Sequence, residues 1–120
     1  MFRKRVPRWV ADLPNDSINK ELLTQLINAS KKPLDTPREI NFVIMDLPTR
    51  EAAENAIVQL EERGWICKTN PDPRNSATLH LEATKRGYKI TDTIFEDEAY
   101  IARIAKMYGA LYDGWYAQVV

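Results

Sequence analysis

The chain has 120 residues, 44% of them hydrophobic and 28% charged, with 17 basic side chains balancing 17 acidic ones. That is the size of one domain with one core; the composition excludes gross disorder, and neutrality excludes nucleic-acid binding driven by bulk charge. A lone cysteine and a lone histidine exclude an internal disulfide, a cysteine metal cluster and a multi-histidine metal site.

Residues 1–14 hold two prolines and no clean period, and read as a basic arm. Within "FRKRVPR", Arg3, Lys4, Arg5 and Arg8 could touch RNA phosphates, although a solvated arm is the simpler explanation. The basic start runs into "WVADLPND" without an apolar region of the signal-peptide kind, and no stretch has the apolar length to span a bilayer, so a cytoplasmic location is expected.

Residues 15–120 read as the single domain. In "NDSINKELLTQLINASKK", Asn15, Asp16 and Ser17 are candidate caps, and Ile18, Leu22, Leu23, Leu26 and Ile27 form a stripe at helical spacing. Pro33 and Pro37 then break the helix. "INFVIMDL" (40–47) is nearly all apolar, as an inner strand should be. Thr49 caps the next helix, Ala53, Ala56, Ile57 and Leu60 make its buried stripe, and Gly64 ends it.

"WICKT" (65–69) is a second strand, with Cys67 as a small buried hydrophobe. "SATLHLEAT" (76–84) alternates, placing Leu79, Leu81 and Ala83 on one face and His80 on the polar one. "KRGYKITD" reads as a loop. "TIFE" (93–96) matches a capping box, opening a helix to about Tyr108 with Ile101, Ile104, Ala105 and Tyr108 inward. "WYAQVV" is the last strand.

This order, strand-helix-strand-strand-helix-strand behind an extra N-terminal helix, is that of an α+β, ferredoxin-like sandwich. Its four-stranded antiparallel sheet would have the first and third strands inside and both crossover helices on one face. The other face is left for the N-terminal helix, for solvent or for a partner.

The end of the chain concentrates Tyr112, Asp113, Gly114, Trp115 and Tyr116. Asp113-Gly114 is a turn or bulge dipeptide, and Trp115 can anchor a terminal strand by burying its indole. Two tyrosines beside it suit an interface. "PREINF", "LEERGW" and above all "YGALYDGWYAQV" resemble the RraB family of bacterial regulators of ribonuclease E activity, over roughly residues 15–120. The resemblance implies a small non-enzymatic protein that binds ribonuclease E and restrains its cleavage of RNA. It marks Tyr112, Asp113, Gly114 and Trp115, with Arg38 a weaker candidate for partner contact, and implies no cofactor and no metal; Tyr116 is a candidate through its place in the aromatic cluster.

Three other classes compete. An RNA-recognition module has the same element order, with Phe42 as a stacking residue, but "SATLHLEAT" lacks the aromatic run its third strand needs. A small-molecule sensor would form its site at a dimer interface. An enzyme would need converging groups, and no nucleophile, base or phosphate loop is spaced for one.

Overall fold

Four runs of alternating side chains pair into one antiparallel sheet. β1 (Arg38–Leu47) and β3 (Leu79–Tyr88) lie inside it and β2 (Ile66–Pro71) and β4 (Leu111–Ala117) at its edges, in the order β2-β3-β1-β4. The structure, a computed structural model, describes residues 6–72, 74–75 and 77–120. α3 (Arg50–Glu62) and α4 (Ile94–Met107) make the two crossovers and pack on one side of the sheet. Two interleaved β-α-β units of this kind make the expected α+β, ferredoxin-like arrangement.

The core lies between sheet and helices. Ile40, Phe42 and Ile44 of β1, Leu81 and Ala83 of β3 and Trp115 of β4 are sealed with Ala53, Ala56 and Leu60 of α3 and Ile101, Ile104 and Ala105 of α4. The Phe42 ring stands edge-on to Trp65 at 5.1 Å. Burial of each large side chain stabilises by roughly 1.5–3 kcal/mol, so β1 is the strand on which the fold most depends. Phe42 therefore faces inward, which removes it as a stacking residue.

Of the three helix starts expected from the sequence, two follow their caps. The Thr49 hydroxyl accepts from the Ala52 amide at 3.0 Å, and Gly64, at φ +86°, lets the chain leave α3 in a left-handed turn. The capping box expected at Thr93 is not formed. Thr93 already has helical backbone (φ −66°, ψ −12°), whereas a capping residue must be extended; its hydroxyl bonds to that of Thr91 at 2.8 Å instead. The expected loop is also shorter, because β3 continues through Tyr88, pairing Tyr88 with Arg38 and Lys85 with Ile40. β1 begins at Arg38 and its first residues need a partner.

Two further helices precede the sheet. Ser17 caps α2 (Ile18–Ala29), accepting from the Lys20 amide at 3.3 Å. Leu23, Leu26 and Ile27 are buried and Leu22 partly so, but Ile18 is 75% exposed, so the buried stripe starts one turn later than its spacing suggested. Ahead of it, α1 (Arg8–Ala11) makes one turn in the segment read as an arm, with Val10 sealed and the Trp9 ring edge-on to Phe95 at 5.8 Å. Arg3, Lys4 and Arg5 lie outside the described residues. α2 sits beside α4 on the helical side, joined to it and to β4 through Asn19, so among the described residues no helix covers the opposite sheet face. Among the described residues no helix is long and apolar enough to cross a membrane.

Candidate functional site

The terminal motif is built around a bulge. Trp115 pairs with Phe42 and Tyr112 with Ile44, so three steps along β4 match two along β1. Gly114, at φ +90°, absorbs the extra residue. Asp113-Gly114 thus lies inside β4 rather than in a turn before it, and the strand starts at Leu111, earlier than expected. In a regular strand residues 112 and 115 would face opposite ways. The bulge puts both on the helical side and leaves Asp113 exposed.

There they meet two residues that spacing did not single out. The Trp115 indole, 7% exposed, donates to Asn19 Oδ1 at 3.1 Å, and the Asn19 amide donates to Glu98 Oε1 at 2.7 Å. The Tyr112 hydroxyl donates to Glu98 Oε2 at 2.5 Å. A polar chain Tyr112–Glu98–Asn19–Trp115 so joins β4, α4 and α2. Burial, then the hydrogen bond to Glu98 and its charge, holds the Tyr112 phenol far above its ordinary pKa. Glu98 reads in sequence as one more acid in the first turns of a solvated helix, and Asn19 as one more polar residue of α2. Only the bulge brings Tyr112 within reach of them.

Arg38 is at the far end of β1 and only 2% exposed. Its guanidinium donates to the carbonyls of Pro33, Leu34 and Gln118, each at 3.0 Å, to Ser30 Oγ at 3.2 Å and to the Thr36 carbonyl at 3.4 Å. Loss of water around it pushes its pKa down from the usual value. The lysine amides at 31 and 32 donate to the Val120 carbonyl at 3.2 and 3.1 Å, so this corner ties the segment before β1 to the residues after β4. Arg38 and Trp115 face the interior, and a partner cannot touch them without opening the fold.

Tyr116 is on the uncovered face. It is half exposed, and its hydroxyl donates to Glu82 Oε1 at 2.9 Å; burial first, then Glu82 and Glu39, raises its pKa. Strand register places it in one row with Asn41, Thr84 and Ile66. Leu111 lies on the same face opposite Met45, and Ile66 and Leu111 are 59% and 60% exposed. His80 is there too, partly buried, with Nε2 3.6 Å from Glu82 Oε1. Alternation in "SATLHLEAT" was the signal for this face. The Cys67 thiol is half-buried, and burial, then the charge of Glu61, pushes it up to about 12, where it is a poor nucleophile.

A third cluster closes the β2–β3 hairpin. Asp72, 2% exposed, accepts from the Arg74 amide at 2.8 Å and the Asp46 amide at 3.4 Å, which hold its pKa below the ordinary carboxylate value. Asp46 has left-handed backbone at φ +61°, on the β1 side of a register shift between Ile44 and Leu47. Among the described residues no three of His, Cys, Asp and Glu gather as a metal site.

Comparison with known proteins gives one family. The family model described as "RraB: Regulator of ribonuclease activity B" matches residues 16–116, which takes in every element from α2 to β4 but for the last residue of β4. No curated protein is matched by this chain.

Proposed function

The chain belongs to the RraB family of regulators of ribonuclease activity, and on that premise we propose that it binds ribonuclease E and restrains its cleavage of RNA, acting by adhesion and without chemistry of its own. The observation that carries this reading is the extent of the match, which includes the whole Tyr-Gly-x-x-Tyr-Asp-Gly-Trp run. Exposed side chains at Ile18 and Tyr116, on either side of the terminal motif, are the kind of surface a protein partner covers. A role in RNA turnover fits a cytoplasmic location.

The test combines co-purification with a cleavage assay. Purified ribonuclease E should be retained by this chain at micromolar concentration, and cleavage of a substrate RNA should slow as the chain is added. Absence of both effects removes the reading. Binding of single-stranded RNA without the ribonuclease, weakening steeply as salt rises, would replace it with an RNA-binding function.

A further inference from the structure

Beside the terminal motif, α2, α4 and the β4 bulge enclose an open groove of about 810 Å³. Its floor is apolar, made by Leu22 of α2 and by Phe95, Ala99 and Ala102 of α4, and Ile18 stands exposed at one lip. Three carboxylates border it, those of Asp16, Glu98 and Asp113, and there is no lysine or arginine among the described residues that line it.

Neighbouring cations are turned elsewhere. The Lys20 ammonium is held by the carbonyls of Ala11 and Leu13 and by Asn15 Oδ1, and the Arg103 guanidinium lies over the Tyr100 ring. Glu98 is part-buried, and its two oxygens are met by neutral donors, the Asn19 amide and the Tyr112 hydroxyl. Such donors orient the carboxylate without cancelling its charge, and a part-buried charge without a counter-ion is a liability that an incoming cation relieves.

We propose that this groove seats a cationic amphipathic segment of the ribonuclease, with apolar side chains on the floor and lysines or arginines facing Asp16, Glu98 and Asp113. The proposal rests on the reading of the preceding subsection and adds the surface and the chemistry of the partner. It also gives the terminal motif a division of labour. Trp115 anchors the strand, Tyr112 aims Glu98, and the bulge at Gly114 holds Asp113 out at the lip.

The test measures the affinity of ribonuclease E for four forms of the chain at low and high salt. An Asp16→Asn, Asp113→Asn double variant should bind about tenfold more weakly at low salt and show a flatter salt dependence. Ile18→Ser should weaken binding at both salts, and Leu111→Ser, on the open sheet face, should bind within about twofold of the parent. All the substituted residues are exposed, so melting temperatures should stay close to that of the parent and exclude misfolding as the cause. If the parent binds and the groove variants bind equally well, or if Leu111→Ser alone abolishes binding, the groove is not the seat, while the proposed function stands. If the parent itself neither binds nor slows cleavage, both fall.

Discussion

A guanidinium closed off from water must find its acceptors inside the protein, and Arg38 finds five. Removing it takes the side-chain donor from the carbonyls of Leu34 and Gln118 and leaves that of Pro33 with the Thr36 amide alone. Arg38→Met should therefore cost about 3 kcal/mol, read as a lower urea midpoint. Arg38→Lys should recover only part of the loss, because an ammonium cannot span acceptors spread around a planar fork. Tyr112 gives a pH dependence. Its phenol is held protonated by the fold, so its contribution is complete below the unfolded value near pH 10 and is lost as pH rises above it. Tyr88, whose hydroxyl donates to Asp97, is raised for the same reasons. Melting temperature should fall steeply on the alkaline side for the parent and less steeply for Tyr112→Phe.

At the scale of elements, two threonines that look alike in sequence should separate in the laboratory. Thr49→Ala removes a formed cap and should cost about 1 kcal/mol, whereas Thr93→Ala removes none; thermal melts of the two variants check this. Gly114→Ala isolates the backbone of the bulge. An added Cβ there meets nothing within 4 Å, so its cost is that of φ +90° alone, about 1–2 kcal/mol. The same measurement reports it. Element order, the inward stripes of α3 and α4 and the interior place of β1 were legible in the chain, because hydrophobic period is a local signal that packing reinforces. The absent cap at Thr93 was settled by its near neighbour Thr91, and the other misreadings by distant partners. Lys85–Tyr88 became strand by pairing with β1, Asp113-Gly114 entered β4 by register, and Trp9 found its site against Phe95 of α4. Of the candidate site, Tyr112, Asp113 and Tyr116 were legible as a cluster. Their division between two faces, and the recruitment of Asn19 and Glu98, depend on which of two readings of Asp113-Gly114 holds, turn or bulge, and pairing with β1 decides for the bulge.

For the molecule as a whole, zero net charge conceals a segregation. The groove by the terminal motif is bordered by carboxylates alone, while a second cleft of about 930 Å³, between α1 and the segment after α2, is lined by Arg8, Lys31 and Lys32 with Asp35 as its one acid among the described residues. Bulk charge was the wrong quantity to read for recognition, because fields act over a Debye length of about 8–10 Å and not over the molecule. The sheet has its own gradient. Amides of β1 and β3 bond to neighbours on both sides, while among the described residues β2 and β4 each pair on one side only. Hydrogen exchange should accordingly be slowest in β1 and β3 and fastest in the edge strands. Equal protection across all four would contradict this packing.

The clasp of Arg38 and of residues 31–32 on residues 118–120 reaches into the making of the protein. β1 leaves the ribosome early, greasy along its length, yet the strand that shields its outer flank is separated from it by more than half the chain. Until residues 111–120 are synthesised, a nascent molecule presents an apolar ribbon with a bare rim, the state in which chains stick to one another and in which chaperones find them.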